Sequence, residues 1–317
     1  MTGKQKIIID TDPGIDDAMA IHLAFAHPQL EVVGLTSIFG NVNSDQATRN
    51  AIWLAETAHY HCDVAQGAQT PLVQEPNEPS YYVHGDEGFG DLPAPQISGE
   101  KHALDAADYI IETCRAHPGE ITLCPVGPLT NIAIALQRDP DLVNYVKSVV
   151  IMGGAVFVPG NVTDYAEANI WNDPHAADIV FAADWEVVVI GLDVTSQVTC
   201  TQEDYQTIAD ASPQIGQFIL DISKFYTRFY QSILHEPVCV LHDPSAIIAI
   251  TNPDLFDYRH VPISVICEGD EIGQTRADAS SSRHPAKVAV GVNVEKVKGL
   301  YLSISGTCDR VKAQRGQ

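Results

Sequence analysis

The sequence predicts an α/β fold with an open, mostly parallel, Rossmann-like sheet flanked by helices. Short apolar runs alternate with helical patterns along most of the chain. This alternation is typical of βαβ units, in which each strand of a parallel sheet is buried on both faces. Polar residues follow directly after the apolar runs. That placement favours the same fold, because ligands of open α/β sheets bind beyond the carboxyl ends of the strands.

The elements are predicted in order from these patterns. Apolar, β-branched runs predict strands at 6–9, 31–39, 120–126, 146–152 and 186–192. Helical periodicity predicts helices at 16–26, 44–59, 102–117, 129–138, 173–183, 213–234 and 243–251. Pro28 and Pro118 follow two of these helices, as expected because proline cannot continue a helix. Two later runs, 261–267 and 286–292, are predicted as edge strands of the same sheet.

We expect a single domain over residues 1–317, because no repeat, low-complexity tract or linker divides the chain. This length suits one large α/β domain. The loosest stretch is 68–100, which contains five prolines and four glycines. Because long loops in compact domains are usually functional or mobile, the sequence predicts a mobile loop there.

The chain is strongly acidic, with 41 Asp and Glu against 18 Lys and Arg and a formal charge of -23. Such a surface repels phosphate backbones and anionic lipids, so neither nucleic acid nor membrane is an expected partner. The seven cysteines form no CxxC pair. Free thiols in a reducing compartment, together with an opening apolar run too short for a signal peptide, predict a cytoplasmic protein.

The strongest chemical signal is four aspartates within eight residues, at the turn from the first strand to the first helix. Asp10, Asp12, Asp16 and Asp17 surround Pro13-Gly14, which forms the turn. Two carboxylates ~4 Å apart repel by ~4 kcal/mol at an effective dielectric of 20. A helix N-terminus stabilises a negative charge by only ~0.3–1 kcal/mol, which does not offset this repulsion. Either protons are retained or a cation is bound, and oxygen ligands favour calcium or magnesium. The plainer alternative is two helix caps and two solvated acids.

Three other segments carry polar residues suited to ligand contact. His242-Asp243-Pro244 begins a helix, where Asp243 could be a plain cap. Asn161, Glu167 and Asn169 share one long segment and could bind hydroxyl groups, although asparagine-rich loops are often only turns. His84 lies in the loose stretch.

Together these motifs resemble the inosine-uridine preferring nucleoside hydrolase family. The matching segments run in order from residue 6 to about residue 250: DTDPGIDDA at 10–18, Gly40-Asn41, His84-Gly85, GPLTN at 127–131, Met152-Gly153-Gly154, Ala166-Glu167 with Asn169, GLDVT at 191–195 and His242-Asp243-Pro244. The resemblance implies the nucleoside hydrolase fold, hydrolysis of the N-glycosidic bond of ribonucleosides in nucleoside salvage, a calcium ion, and a homodimer or homotetramer.

The resemblance also implies individual roles. The calcium ligands would be Asp12, Asp17, Asp243 and the backbone carbonyl of Val126. Asp12 would also be the catalytic base, and His242 the catalytic group that protonates the leaving nucleobase, a role suited to a side chain that ordinarily titrates near neutral pH. Asp10 would be a supporting acid. The substrate-binding residues would be Asp16, Asn41, His84, Met152, Asn161, Glu167, Asn169, Tyr226 and Tyr230.

Two other functions stay open from the residues alone. A haloacid-dehalogenase-type phosphohydrolase also begins with a strand and Asp-x-Asp, and its nucleophile would be Asp10, although Gly14 stands where Thr or Val is usual. A non-catalytic nucleoside- or sugar-binding protein would need much the same pocket. The preference between purine and pyrimidine bases, which depends on 77–90 and 224–235, also stays open.

Overall fold

The computed structural model describes residues 3–315. In this range the strands are β1 (Gln5–Thr11), β2 (Leu30–Ser37), β3 (Asp63–Gln66), β4 (Ile121–Pro125), β5 (Ser148–Met152), β6 (Val187–Ile190), β7 (Thr199–Thr201), β8 (Val238–Val240), β9 (Phe256–Val261), β10 (Ile263–Val265), β11 (Thr275–Ala277) and β12 (Ala286–Val292). The helices are α1 (Ile15–Ala26), α2 (Ser44–Thr57), α3 (Tyr81–His84), α4 (Ala106–Ala116), α5 (Thr130–Arg138), α6 (Ala168–Asn172), α7 (Pro174–Ala182), α8 (Leu192–Thr195), α9 (Gln202–Ala211), α10 (Ile215–Leu234), α11 (His242–Thr251), α12 (Val294–Ser305) and α13 (Cys308–Arg315).

An eight-stranded sheet runs through the structure in the order β3-β2-β1-β4-β5-β6-β12-β9. Adjacent strands of this sheet are parallel except at one edge, where β9 is antiparallel to β12. The predicted α/β fold with a mostly parallel sheet is therefore confirmed. Because parallel strands are buried on both faces, they need helices on both sides of the sheet. Here α1 packs on one face, and α4 and α5 pack on the other.

The central strand β1 shows why its sequence is apolar throughout. Ile7, Ile8 and Ile9 are all fully buried. Ile7 and Ile9 join one hydrophobic core with α1, whereas Ile8 joins a second core with α4 and α5. Because successive side chains of a strand point to opposite faces, an unbroken apolar run fills both cores at once.

The prediction of two edge strands at 261–267 and 286–292 is wrong. The edge strand is β9, and the following β10 leaves the main sheet to pair with β11 in a separate two-stranded sheet. The run at 286–292 is indeed a strand, β12, but it lies between β6 and β9. The apolar run at 261–267 is broken at Pro262, which has no backbone N–H for a sheet hydrogen bond.

Several elements were not predicted. The strands β3, β7 and β8 are three or four residues long, too short for a periodic signal. In α9 only Tyr205, Ile208 and Ala209 are buried, so its apolar stripe is narrow. The C-terminal helices α12 and α13 also bury few side chains, so their apolar stripes are narrow too.

The segment 68–100 is attached to its neighbours by hydrogen bonds. The backbone N–H of Ala68 donates to Asn131 Oδ1 (2.9 Å), and that of Leu72 donates to Asp173 Oδ2 (2.9 Å). Helix α3 lies inside it. Its mobility and the single-domain assignment stay predictions.

No helix among residues 3–315 combines the length and apolar composition needed to cross a membrane.

An unpartnered histidine lies in the core beneath α13. The ring of His22 on α1 is 1% exposed, and within residues 3–315 neither ring nitrogen has a hydrogen-bond partner. It packs edge-on against Phe25 and Phe218, with ring centroids 6.4 and 5.9 Å away. Burial, reinforced by Lys312, lowers the pKa of His22 to about 3. The folded chain therefore keeps this ring neutral.

We expect His22→Leu to reduce the acid sensitivity of the fold. The unfolded chain binds a proton at His22 below pH 6.5 and the folded chain only below about 3, so this residue lowers stability as pH falls between those values. At pH 5 the loss is about 2 kcal/mol. Urea unfolding at pH 7.5 and pH 5 measures it: the difference between the two free energies of unfolding should shrink by that amount in His22→Leu. The exposed His61→Leu is the control, and an unchanged difference in His22→Leu contradicts the assignment.

Candidate active site

The site is built on the turn between β1 and α1. The Asp17 carboxylate accepts hydrogen bonds from the Thr11 hydroxyl (2.6 Å) and from the backbone N–H groups of Asp12 (3.2 Å) and Gly14 (3.1 Å). It thereby caps α1, as acidic residues at helix N-termini commonly do. A Cβ atom at position 14 would lie 2.5 Å from Nδ1 of His84. Glycine is needed there because the imidazole packs directly on the turn.

Four buried carboxylates meet at this turn. Asp16, Asp17 and Asp243 offer oxygen atoms within 4.8 Å of one another. Asp12 is 1% exposed and interacts electrostatically with all three. Burial raises the pKa of all four carboxyls, that of Asp16 to about 7, and repulsion from neighbouring carboxylates adds to the rise for Asp12, Asp16 and Asp243. For Asp17 burial is the raising cause, opposed by its hydrogen bonds.

No lysine or arginine within residues 3–315 forms an ion pair with these four side chains. Nδ1 of His84 lies 3.8 Å from Asp16 Oδ1, but burial lowers the pKa of His84 to about 3 and leaves the ring uncharged. Oδ1 of Asp12 and Oδ1 of Asp16 are buried, and neither has a hydrogen-bond partner in the described part of the chain. Buried, unpaired carboxylate oxygens are costly unless a cation neutralises them, so this cluster could bind a metal ion.

The clustered carboxylates differ in part from the predicted metal ligands. The group within 4.8 Å contains Asp16 rather than Asp12. Asp12 instead has Oδ2 bonded to the N–H of Asn41 (2.6 Å), and its Oδ1 faces Gly127, where a Cβ would lie 2.5 Å away. The predicted ligand set, with the Val126 carbonyl, stays a prediction.

A cavity of about 350 Å³ opens above the carboxylates. This volume lies in the range of small-molecule sites. Of the predicted site residues, the cavity is lined by Asp16, Asn41, His84, Val126, Met152, Asn161, Glu167, Asn169, Tyr226, Tyr230, His242 and Asp243. Asp12 and Asp17 lie beneath it, connected through Asn41, which donates from its N–H to the first and from Nδ2 to the second (2.9 Å). A larger cleft of about 840 Å³ beside β3 contains no comparable carboxylate cluster among the described residues.

One wall of the cavity presents fixed hydrogen-bonding groups. Glu167 caps α6, and its Oε2 accepts from the N–H groups of Gly154 (2.9 Å) and Ile170 (3.2 Å). Nδ2 of Asn169 donates to the carbonyls of Val126 (2.9 Å) and Met152 (3.0 Å). Burial raises the pKa of Glu167, opposed by these N–H groups. The wall is therefore held in place before a ligand arrives.

Asn161 lies at the rim of that wall. Its side chain is exposed, and Oδ1 accepts a hydrogen bond from the N–H of Ala168 (3.1 Å). Its amide Nδ2 has no hydrogen-bond partner among residues 3–315 and is free to meet a ligand hydroxyl. The loop that carries Asn161 is held by Asp193, which accepts from the N–H groups of Val156 (3.0 Å) and Phe157 (2.8 Å).

The opposite end of the cavity is uncharged and aromatic. The Tyr226 hydroxyl donates to Asp16 Oδ2 (3.1 Å) and lies 3.4 Å from the Tyr230 hydroxyl. The Tyr230 hydroxyl lies 2.7 Å from Nε2 of His242, whose Nδ1 lies 2.8 Å from the hydroxyl of Thr195. Burial lowers the pKa of His242 to about 4. The expectation of a near-neutral pKa for His242 is therefore wrong, and at neutral pH this ring donates a hydrogen bond more readily than a proton.

Asp10 is buried below the site rather than in it. Its Oδ1 accepts from the Thr36 hydroxyl (2.5 Å) and from Nδ2 of Asn131 (2.7 Å). Burial raises its pKa to about 7. Among the described residues that line the cavity, Asp10 is absent. This placement suits a supporting acid and argues against Asp10 as the nucleophile of a phosphohydrolase.

The prediction missed the apolar rim and Thr195. Phe229, Ile233 and Leu234 continue the face of α10 that carries the two tyrosines, and all three line the cavity. Their helical spacing from Tyr226 could have identified them. Thr195 is not among the predicted site residues, because its partner His242 lies 47 residues away in sequence.

The chain is similar to known proteins over nearly its full length. A family model described as inosine-uridine preferring nucleoside hydrolase matches residues 7–299. Uridine nucleosidase 1 of Arabidopsis thaliana is 40% identical, covering 92% of this chain and 90% of its own length. The inosine-uridine preferring nucleoside hydrolase of Crithidia fasciculata is 37% identical, covering 94% and 96%.

Solved structures agree with this similarity. The purine-preferring ribonucleoside hydrolase from Gardnerella vaginalis superposes with a TM-score of 0.92 at 33% identity, covering 96% of this chain and 99% of its own. The chain therefore belongs to the inosine-uridine preferring nucleoside hydrolase family and is an enzyme of that class.

Proposed function

We propose that this protein hydrolyses the N-glycosidic bond of ribonucleosides to ribose and a free nucleobase, with calcium as cofactor and nucleoside salvage as its role. The observation that carries the proposal is the cavity itself. Its floor is a set of buried carboxylates that no lysine or arginine among residues 3–315 neutralises, one wall has fixed hydrogen-bonding groups, and the far end is aromatic and uncharged. A ribonucleoside, with a vicinal diol on its sugar and a flat base, matches these three surfaces.

The metal would be held by Asp17, Asp243 and Asp12, with the Val126 carbonyl as a further oxygen ligand. All are hard oxygen donors, as calcium prefers. Asp16 shares the cluster and can contact either the ion or a ribose hydroxyl. When bound, the ion supplies Lewis acidity that favours the ionisation of water and orients the ribose diol.

Asp12 would be the base for the attacking water. Its Oδ1 has no hydrogen-bond partner among the described residues, whereas Oδ2 is fixed by the N–H of Asn41. One oxygen therefore orients the carboxylate and the other is available for a proton. A positioned base of this kind contributes roughly 10²–10⁴-fold to the rate.

The wall and the floor orient the ribose and stabilise its developing charge. Cleavage of the C1′–N bond has an oxocarbenium-like transition state, in which positive charge forms on the sugar ring. Glu167 and Asp16 place carboxylates beside the ring, and Asn169 and Asn161 are suited to its hydroxyl groups. Preorganised groups of opposite charge stabilise such a transition state without reorganising during the reaction.

The aromatic end receives the departing base. As the base leaves it gains electron density, which a hydrogen-bond donor stabilises. His242 is neutral because of burial and can donate one hydrogen bond from a ring nitrogen, while the rings of Tyr226 and Tyr230 provide flat surfaces for the base. Cytoplasmic location and assembly as a homodimer or homotetramer stay predictions from the sequence.

The direct test is a panel of ribonucleosides assayed for free ribose, with and without a chelator. We expect ribose release that stops in the chelator and returns on adding calcium, because the buried carboxylates need a cation. Magnesium in place of calcium distinguishes the two ions. Nucleoside binding without ribose release would favour the non-catalytic binding protein, and phosphate release from a phosphomonoester without base release would favour the phosphohydrolase.

We expect Asp12→Asn to fold normally and to lose about 10²–10⁴-fold in kcat, because the amide cannot accept the proton of water. Circular dichroism and unfolding in urea check the fold, and ribose release measures the rate. The matched control is Asp184→Asn, an exposed position away from the cavity, which should keep full activity. Near-normal turnover of Asp12→Asn would show that another group is the base.

We expect calcium to stabilise the fold more at pH 8 than at pH 5.5. Without a cation, the folded-state pKa of Asp16 is raised from 3.8 to about 7. This residue therefore costs stability as pH rises through 7, and bound calcium removes that cost. Below that pH, protons compete with the ion. Calcium at a hundred times its Kd stabilises the fold by about 2.7 kcal/mol.

Thermal unfolding at both pH values, with calcium and with chelator, measures this difference. Asp243→Asn should lose most of the calcium-induced shift in Tm, whereas Asp184→Asn should keep it. An equal shift at the two pH values, or a full shift in Asp243→Asn, would contradict the assignment of the ion to this cluster.

A further inference from the structure

A chain of hydrogen bonds crosses the aromatic end of the cavity and ends at a threonine. It runs from Asp16 through the hydroxyls of Tyr226 and Tyr230 to His242, with contacts of 3.1, 3.4 and 2.7 Å. The last contact, 2.8 Å, joins Nδ1 of His242 to the hydroxyl of Thr195. Thr195 is fully buried on the short helix α8, and its hydroxyl has no other partner among residues 3–315.

The protons available along this chain fix its direction. Each hydroxyl has one proton, and a neutral imidazole has one N–H. The Tyr226 proton goes to Asp16, so the 3.4 Å contact needs the proton of Tyr230. The 2.7 Å contact then needs a proton on Nε2 of His242, which leaves Nδ1 as an acceptor for the Thr195 hydroxyl.

The opposite direction leaves contacts unfilled. If Nδ1 carried the proton and donated to Thr195, the Tyr230 hydroxyl would have to donate to Nε2. No proton would then lie between Tyr226 and Tyr230, and the buried Thr195 hydroxyl would have no acceptor among the described residues. A buried donor without an acceptor costs about 1–3 kcal/mol, so the first direction is favoured.

We propose that Thr195 is a positioning residue: its hydroxyl donates to Nδ1 of His242 and keeps the ring proton on Nε2, the nitrogen that faces Tyr230 and the cavity. The proposal rests on the proposed function, in which His242 donates a hydrogen bond to the departing base. The tautomer of a histidine is commonly set by the bond that its other nitrogen makes. Without that bond, Nδ1 is a buried acceptor without a donor. This cost favours rotation of the ring or transfer of its proton to Nδ1.

The variants that test this are Thr195→Val, which keeps the shape and removes the hydroxyl, and Thr195→Ser, which keeps the hydroxyl. The matched control is Thr122→Val. Thr122 is equally buried, and its hydroxyl bonds to Ser148 Oγ (3.2 Å) at the amino end of β4, the other end of the sheet from the site.

The kinetic comparison uses two substrates with the same sugar. Uridine or inosine has a poor leaving group that needs a hydrogen bond, whereas 4-nitrophenyl riboside has a good leaving group that does not. We expect Thr195→Val to lower kcat on the ribonucleoside about 10- to 100-fold, the equivalent of one hydrogen bond to a developing charge. Its KM should change little, its rate on the nitrophenyl riboside should stay within about twofold of the unmodified protein, and Thr195→Ser should recover most of the loss.

A second readout does not depend on activity. In ¹⁵N-histidine-labelled protein, nitrogen NMR reports which nitrogen of His242 carries the proton, with the resonance assigned by its disappearance in His242→Asn. We expect the proton on Nε2 in the unmodified protein, in Thr195→Ser and in Thr122→Val, and a mixed population in Thr195→Val.

A proton on Nδ1 in the unmodified protein would overturn the proposal, and so would an equal loss of rate on both substrates in Thr195→Val. If the unmodified protein cleaves neither substrate, the proposed function fails, and the NMR spectra alone then decide whether Thr195 sets the tautomer.

Discussion

The structure depends on holding four carboxylates together inside the protein. Asp12, Asp16, Asp17 and Asp243 are buried at one point, and the part of the chain from 3 to 315 places no lysine or arginine beside them. Desolvation and repulsion both oppose the ionised state. Such an arrangement is stable only with retained protons or with a bound cation. The acids of this site could therefore hold a cation where carboxylates elsewhere on the protein form salt bridges.

The fold supplies this arrangement through the sheet. Asp10 lies at the carboxyl end of β1 and Asp12 directly follows this strand. The parallel neighbours of β1 end at the same edge, so residues more than a hundred positions apart meet there. The alternation of apolar runs and the polar residues after them made both the sheet and this edge predictable from the sequence. Local patterns sufficed because the rule that relates strand ends to ligand sites holds for parallel sheets in general.

Other features of the fold and of the site could not be predicted, because they depend on contacts between segments that are distant in sequence. The departure of β10 from the sheet, the shared bonds of Asn41 and the pairing of Thr195 with His242 all join distant segments. The resemblance to a known family identified most of the residues that line the cavity, but it does not report their charge states. The low pKa of His242 follows from burial, which the sequence around this residue does not encode.

The two ends of the cavity differ in charge for a chemical reason. In the proposed function the carboxylates at the floor would face the sugar, where positive charge develops as the bond breaks. The neutral imidazole at the far end would face the base, where negative charge develops. An imidazolium at that end would be attracted to Asp16, whose Oδ2 lies 3.1 Å from the Tyr226 hydroxyl, and would neutralise the acid proposed to contact the ribose. A neutral His242 would keep stabilisation of the base separate from stabilisation of the sugar. A hydrogen bond from the neutral ring would stabilise the departing base without adding a charge that competes with the cation site.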